Sequence, residues 1–107
     1  MSQRQIIKIL KKYIHVLYKE GIPVERAFLY GSYAKNEATP ESDIDVMLIS
    51  KIFENNDDKI IGKTWCLTTE VDARIEPYMV GTNKFKTDEY SPILEIVRRE
   101  GIEITAL

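Results

Sequence analysis

Residues 29–50 read LYGSYAKNEATPESDIDVMLIS, and the rest of the chain is understood from this stretch. An apolar run ends at Gly31-Ser32, a polar connection follows, and a second apolar run opens with Asp43 and Asp45. Strand side chains alternate between faces, so two aspartates one residue apart project together. Neighbouring carboxylates repel unless a cation lies between them. Hard oxygen donors without histidine or thiolate suit magnesium or manganese rather than zinc. Taken alone, the pair also reads as a polar turn leading into a strand. Gly31 and Ser32 stand between a strand and a predicted short helix over Ser32 to about Glu37. There they add backbone N–H groups and a hydroxyl at the helix's positive end, a seat for phosphate. The two parts together describe a site for a metal-bound nucleoside triphosphate.

The flanking elements follow from pattern. Val24 to Tyr30 is a predicted strand, residues 38–42 (ATPES) are a turn broken by Pro40, and Ile44 to Ser50 is apolar enough for a buried central strand. Upstream, residues 2–20 form a predicted amphipathic helix. Ser2 and Gln5 make a capping box, Ile6, Leu10, Tyr13, Ile14 and Leu17 repeat at helical spacing, and Gly21 and Pro23 stop it. His15, with no second histidine in the chain, is expected at the surface or core edge.

Downstream, a helix is expected from Asn55 to about Thr69, with Ile60, Ile61 and Trp65, extended by Thr68, as its inner stripe. Val71 to Val80 reads as a strand interrupted or ended by Pro77. Ser91-Pro92 starts a helix that runs to Glu100, with Arg98 and Arg99 near its negative end and Gly101 as its stop. Ile102 to Ala106 is a last short strand. The order of elements predicts an α/β fold, one small mixed sheet with helices packed against it.

In residues 71–77, VDARIEP, alternation puts Asp72, Arg74 and Glu76 on one face. Asp72 completes a three-carboxylate cluster if its strand lies beside that of Asp43 and Asp45, and Glu76 is the second choice. The bland alternative is a surface ladder of alternating charge.

Composition limits the alternatives. At 107 residues the chain is one domain, 1–107, and its hydrophobic content of 44% with 30% charge argues against disorder. A net charge of −2 gives no general footprint for nucleic acid or an anionic membrane. No apolar run is long enough to span a bilayer, and basic residues interrupt the N-terminal apolar positions, so a cytoplasmic location is expected. The single cysteine, Cys66, fits a reducing compartment and is expected as a small buried hydrophobe.

Residues 31–48, GSYAKNEATPESDIDVML, resemble the signature of the polymerase-β-type nucleotidyltransferase superfamily: Gly-Ser, a ten-residue spacer, then Asp-x-Asp on a strand. Within it the chain is most similar to the minimal nucleotidyltransferases, single small domains also found as antitoxins of helical HEPN-type toxins. Ala34, Glu37 and Ser42 fall where the extended signature commonly has those types. Asn36 stands where the family often has glycine, and asparagine tolerates the left-handed backbone that such a turn needs.

The resemblance implies a polymerase-β-like fold and transfer of a nucleoside monophosphate, AMP from ATP, to an acceptor hydroxyl. Asp43 and Asp45 would hold two magnesium ions, with manganese as the substitute, and Asp72 would ligate the second ion and act as base. Gly31 and Ser32 would bind phosphates, with Lys35 as a further contact. The implied acceptor is a tyrosine of a HEPN-type partner toxin. The competing reading is a regulatory or antitoxin module acting by surface contact alone. Nucleic acid is disfavoured as a direct ligand, and exposed sheet edges leave self-association open.

Overall fold

The computed structural model describes residues 1–106; Leu107, the last residue of the expected single domain, lies outside them. Helix α1 spans Gln3–Lys19. Its capping box forms as read: the Gln5 N–H donates to Ser2 Oγ at 3.2 Å, and the Ser2 N–H donates to Gln5 Oε1 at 2.7 Å. Ile6, Leu10, Tyr13 and Leu17 are fully buried, while Ile14 lies at the edge of that face and His15 is exposed. The chain reverses at Gly21, whose φ of +86° belongs to the left-handed region that glycine adopts without cost.

Strands β1 (Arg26–Tyr30) and β2 (Ile44–Ile49) pair antiparallel, and β2 pairs in parallel with β3 (Ile75–Val80). Parallel pairing needs a crossover, which α2 (Asp58–Cys66) supplies. The sheet is completed by α3 (Thr82–Thr87), α4 (Pro92–Glu100) and the two-residue β4 (Ile102–Glu103), giving the order β3-β2-β1-β4. β2 is therefore interior, as its continuous apolar run required.

Side-chain alternation sends the sheet into two cores. On one face, Leu29, Val46, Leu48 and Ile75 pack with the buried residues of α1 and with Phe53 and Leu67. On the other, Phe28, Met47, Ile49 and Val80 pack with Phe85 of α3 and with Leu94 and Val97 of α4. The Tyr13 hydroxyl donates to the Thr64 carbonyl at 2.6 Å, which fastens α1 to α2, and burial pushes its phenol pKa well up.

Several local expectations are corrected. The Asp57 carboxylate caps α2 through the Lys59 N–H at 2.9 Å, and Ile60 and Thr68 face inward as expected, joined by Thr64 and Leu67, but Trp65 is 44% exposed and Cys66 is exposed rather than buried. Ile60, Thr64, Leu67 and Thr68 form one stripe at helical spacing, and Trp65 and Cys66, one and two residues past Thr64, fall beside it. Pro77 neither interrupts nor ends β3. It sits on an edge strand, where a missing N–H costs no ladder hydrogen bond. Helix α3 lacks an amphipathic signature and was not expected. Ser91 precedes α4 without a side-chain cap; Asp88 Oδ1 instead accepts the N–H groups of Tyr90 and Ser91 at 2.8 and 3.0 Å. The last strand stops at Glu103, and residues Ile104–Ala106 turn into a 3-10 coil.

Candidate active site

The register of the sheet builds the site. Tyr30 on β1 is opposite Asp45 on β2, and Asp45 is opposite Glu76 on β3, so the three share a row and a face. Asp43 lies one alternation earlier, exposed at the mouth of β2. The carboxylates feel one another. Asp45 is raised above the ordinary aspartate range, first by partial burial and then by the Asp43 charge. Glu76 is raised by partial desolvation, then by the charges of Asp43 and Asp45 and a hydrogen bond with Asp43. The Tyr30 phenol is pushed up to about 12, by burial foremost and then by Asp45, Tyr78 and Glu76.

Gly31 follows Tyr30 directly, with a φ of +77°. A Cβ built there would overlap Asp45 Oδ2 and lie 3.2 Å from its Cγ, so only glycine lets the loop pass this close to the carboxylate. Residues 32–36 make a single helical turn rather than the predicted short helix. It closes at once: the Glu37 N–H donates to the Ser32 carbonyl at 2.9 Å and the Asn36 N–H to the Tyr33 carbonyl at 3.4 Å, with Asn36 left-handed at φ +58°. That is a Schellman ending, with asparagine in the glycine position. The N–H groups of Ser32 and Tyr33 donate to no partner among the described residues, as the first turn of a helix leaves them. The Gln3 side-chain amide ties this loop to α1, donating to the Tyr33 and Ala34 carbonyls at 3.1 and 3.4 Å.

Asp72 is placed elsewhere. The expected strand from Val71 begins only at Ile75, so the alternation that grouped Asp72, Arg74 and Glu76 does not reach Asp72. Asp72 folds a local turn instead, accepting the Arg74 N–H at 2.9 Å and gripping its guanidinium at 2.8 and 3.1 Å. Its carboxyl is held below the ordinary range, chiefly by that guanidinium, and neither Asp43 nor Asp45 contributes. The carboxylate that shares a row with Asp45 is the second choice, Glu76. The Arg74 guanidinium also approaches the Tyr33 hydroxyl at 3.5 Å, between the loop after Gly31 and the start of β3. Lys35 pairs with Glu100 at 3.3 Å. Tyr30 escaped the reading of the sequence, although antiparallel pairing through the Gly31 loop puts the residue before that glycine opposite Asp45.

The donor set fits a divalent cation. It is all carboxylate oxygen, and the Asp43 charge raises the pKa of both Asp45 and Glu76 beyond what burial does, a repulsion that a bound cation relieves. Among the described residues no three acidic, histidine or cysteine side chains are gathered into a ready cage. An open set of this kind suits magnesium, which keeps positions for water and substrate phosphate.

Three comparisons place this geometry among known proteins. A family model described as "Nucleotidyltransferase domain" matches residues 4–100. The chain is 28% identical over 102 residues to a Methanocaldococcus jannaschii protein named "Putative protein adenylyltransferase MJ0141", covering 94% of this chain and 96% of that one. It is 44% identical to a second protein of that organism, "Putative protein adenylyltransferase MJ1379", over 52 residues that make up 49% of each chain. The structure titled "Crystal structure of a putative nucleotidyltransferase from Sulfolobus solfataricus" is similar with a TM-score of 0.61 at 12% identity, over 94% of this chain and 80% of that one, a likeness of fold.

Proposed function

This chain belongs to the nucleotidyltransferase domain family and is a nucleotidyltransferase; we propose that it transfers AMP from ATP to a hydroxyl of another protein. The observation that carries this is the row Asp45–Glu76 with Gly31 pressed against Asp45, which sets carboxylates beside a loop with free N–H groups.

In this reading the Ser32 and Tyr33 N–H groups and the Ser32 hydroxyl receive the β and γ phosphates. Asp43, Asp45 and Glu76 would hold magnesium, or manganese in its place. Ions bound there would offset the triphosphate charge and stabilise the attacking and departing oxygens. The acceptor oxygen bonds to the α phosphorus, its proton passes to the Glu76 carboxylate, and pyrophosphate leaves. Asp72 acts at one remove, by fixing the Arg74 guanidinium beside the loop. Lys35 steadies the loop through Glu100 rather than touching phosphate.

The names of the relatives and the resemblance of the Gly31–Leu48 signature both support a protein acceptor. We assign it to a tyrosine of a HEPN-type toxin in the same cytoplasm, which makes this chain the antitoxin. The test is to incubate the purified chain with labelled ATP, magnesium and the product of the neighbouring gene. Transfer of label that disappears in Asp43→Ala and Asp45→Ala supports the enzyme. Neutralisation of the partner that persists in both variants would falsify it and leave a module that acts by contact.

A further inference from the structure

Charge on this molecule is segregated. Of its 15 lysines and arginines, five lie on α1 (Arg4, Lys8, Lys11, Lys12 and Lys19), which carries no acid, so the remainder sets ten basic residues against all 17 acids. Arg4, Lys8, Lys12, His15 and Lys19 recur at helical spacing and are exposed, opposite the buried face of Ile6, Leu10, Tyr13 and Leu17. Among the described residues Arg4, Lys8, Lys12 and Lys19 form no ion pair, whereas Arg26, Lys35, Lys63 and Arg74 each hold a carboxylate.

Beside the basic stripe runs a second one, Ile7, Lys11, Ile14 and Tyr18, with both isoleucines half-buried and Tyr18 68% exposed. Two hollows open along it. One of 430 Å³ lies at Gln3, Arg4, Ile7 and Lys8, one of 290 Å³ lies between Ile14 and Ile104, and Lys11 lines both. The 17 residues of α1 make this surface about 25 Å long.

We propose that this face of α1 docks an acidic amphipathic helix of the acceptor protein, the partner's apolar side entering the hollows and its carboxylates meeting the lysine stripe. The inference rests on the reading of a protein acceptor and adds how it is held. The excess of acids on the rest of the molecule repels an extended polyanion. Isoleucine-lined hollows beside the charges call for side chains rather than a sugar-phosphate chain. The N-terminal end of the stripe adjoins the site, because Gln3 bonds directly to the loop after Gly31.

The experiment measures binding of the whole chain, without nucleotide or magnesium, to three labelled probes: a helical peptide with glutamates on one face and leucines on the other, a shuffled peptide of the same composition, and a single-stranded oligonucleotide of equal charge. The amphipathic peptide is expected to bind best, to weaken with salt, and to lose about tenfold or more in a Lys8→Glu, Lys12→Glu, Lys19→Glu variant. Ile14→Asp is expected to weaken the amphipathic peptide and leave the shuffled one unchanged. Equal binding of the two peptides, tighter binding of the oligonucleotide, or no binding overturns the proposal. None of these readouts involves transfer, so their failure leaves the label-transfer result standing, and failed transfer with intact peptide binding removes only the earlier reading.

Discussion

The two ends of the β2–β3 pair are built from the same kinds of residue and behave oppositely. At the N-terminal end of β2, burial and then the Asp43 charge raise the Asp45 pKa, desolvation and then the Asp43 and Asp45 charges raise that of Glu76, and the nearby N–H groups of Ser32 and Tyr33 lack partners among the described residues. At the far end every acid is engaged. Glu25 accepts the Lys51 N–H at 2.8 Å and the Thr82 hydroxyl at 3.0 Å, Glu54 accepts the Asn83 N–H at 2.9 Å, and Ser50 is buried and caps the following turn through Ile52. Each end also has a glycine where a Cβ would not fit: at Gly31 it would overlap the Asp45 carboxylate, and at Gly81 it would overlap the Glu54 side chain and lie 3.1 Å from Glu54 Cα. The far end has a 510 Å³ hollow lined by Phe53, Glu54, Asn83 and Asp88, yet both of its carboxylates already accept backbone N–H groups. The difference teaches that unmet charge, rather than empty volume, marks the place for chemistry.

The comparison breaks most readily at Asp45. Asp45→Ala is expected to reduce AMP transfer by about 100-fold or more, while removing a mutually repelled carboxylate leaves the thermal midpoint unchanged or higher. Parallel loss of folding in circular dichroism would move Asp45 from chemistry to structure. Gly31→Ala should cost both, since it forces a side chain into a left-handed residue and into Asp45: about 1–3 kcal/mol in urea unfolding and at least about tenfold in transfer. Gly81→Ala supplies the contrast. Crowding against Glu54 should cost about 1–3 kcal/mol of stability, with transfer per folded molecule near that of the wild type.

Asp72→Asn sharpens the boundary of the site. Loss of the grip on Arg74 should lower transfer only several-fold, roughly 3–10 times, and the same reduction should appear in Arg74→Gln. A loss as deep as that of Asp45→Ala would return Asp72 to the metal. The smallest effect is expected at Glu25. Its carboxyl lies below the ordinary range in the folded chain, first through the Lys51 N–H. The stabilisation is therefore present above the unfolded value and is lost as pH falls through the lower folded one. Thermal midpoints of the wild type and Glu25→Gln should converge over that acidic window, and a constant gap would show that the bond adds nothing dependent on charge.

Legibility followed the range of the interactions. Helix α1, its cap, β1 and β2 were readable because the spacing of Ile6, Leu10, Tyr13 and Leu17 and the run Ile44 to Ser50 are local patterns. The left-handed turn at Asn36 was expected through the family resemblance, which often puts a glycine at that position. Trp65 and Cys66 were not readable, because the stripe that turns inward there, Ile60, Thr64, Leu67 and Thr68, holds two threonines, which give no apolar signal in the pattern. Helix α3 was hidden because its six residues carry only one buried anchor, Phe85. Asp72 was grouped with Arg74 and Glu76 because the strand was read from Val71, whereas it starts at Ile75, which leaves Glu76 as the carboxylate in the row of Asp45.

Gly31, Ser32, Asp43 and Asp45 were singled out from the sequence alone because they lie on one short stretch, where a turn and an alternating strand are local patterns. Only the tertiary structure decided what crosses between strands. The parallel register that sets Glu76 opposite Asp45 follows from where α2 returns the chain to the sheet. So does the edge position that admits Pro77. A pattern within one segment cannot state its offset against another, and in a sheet an offset of one residue moves a side chain to the opposite face.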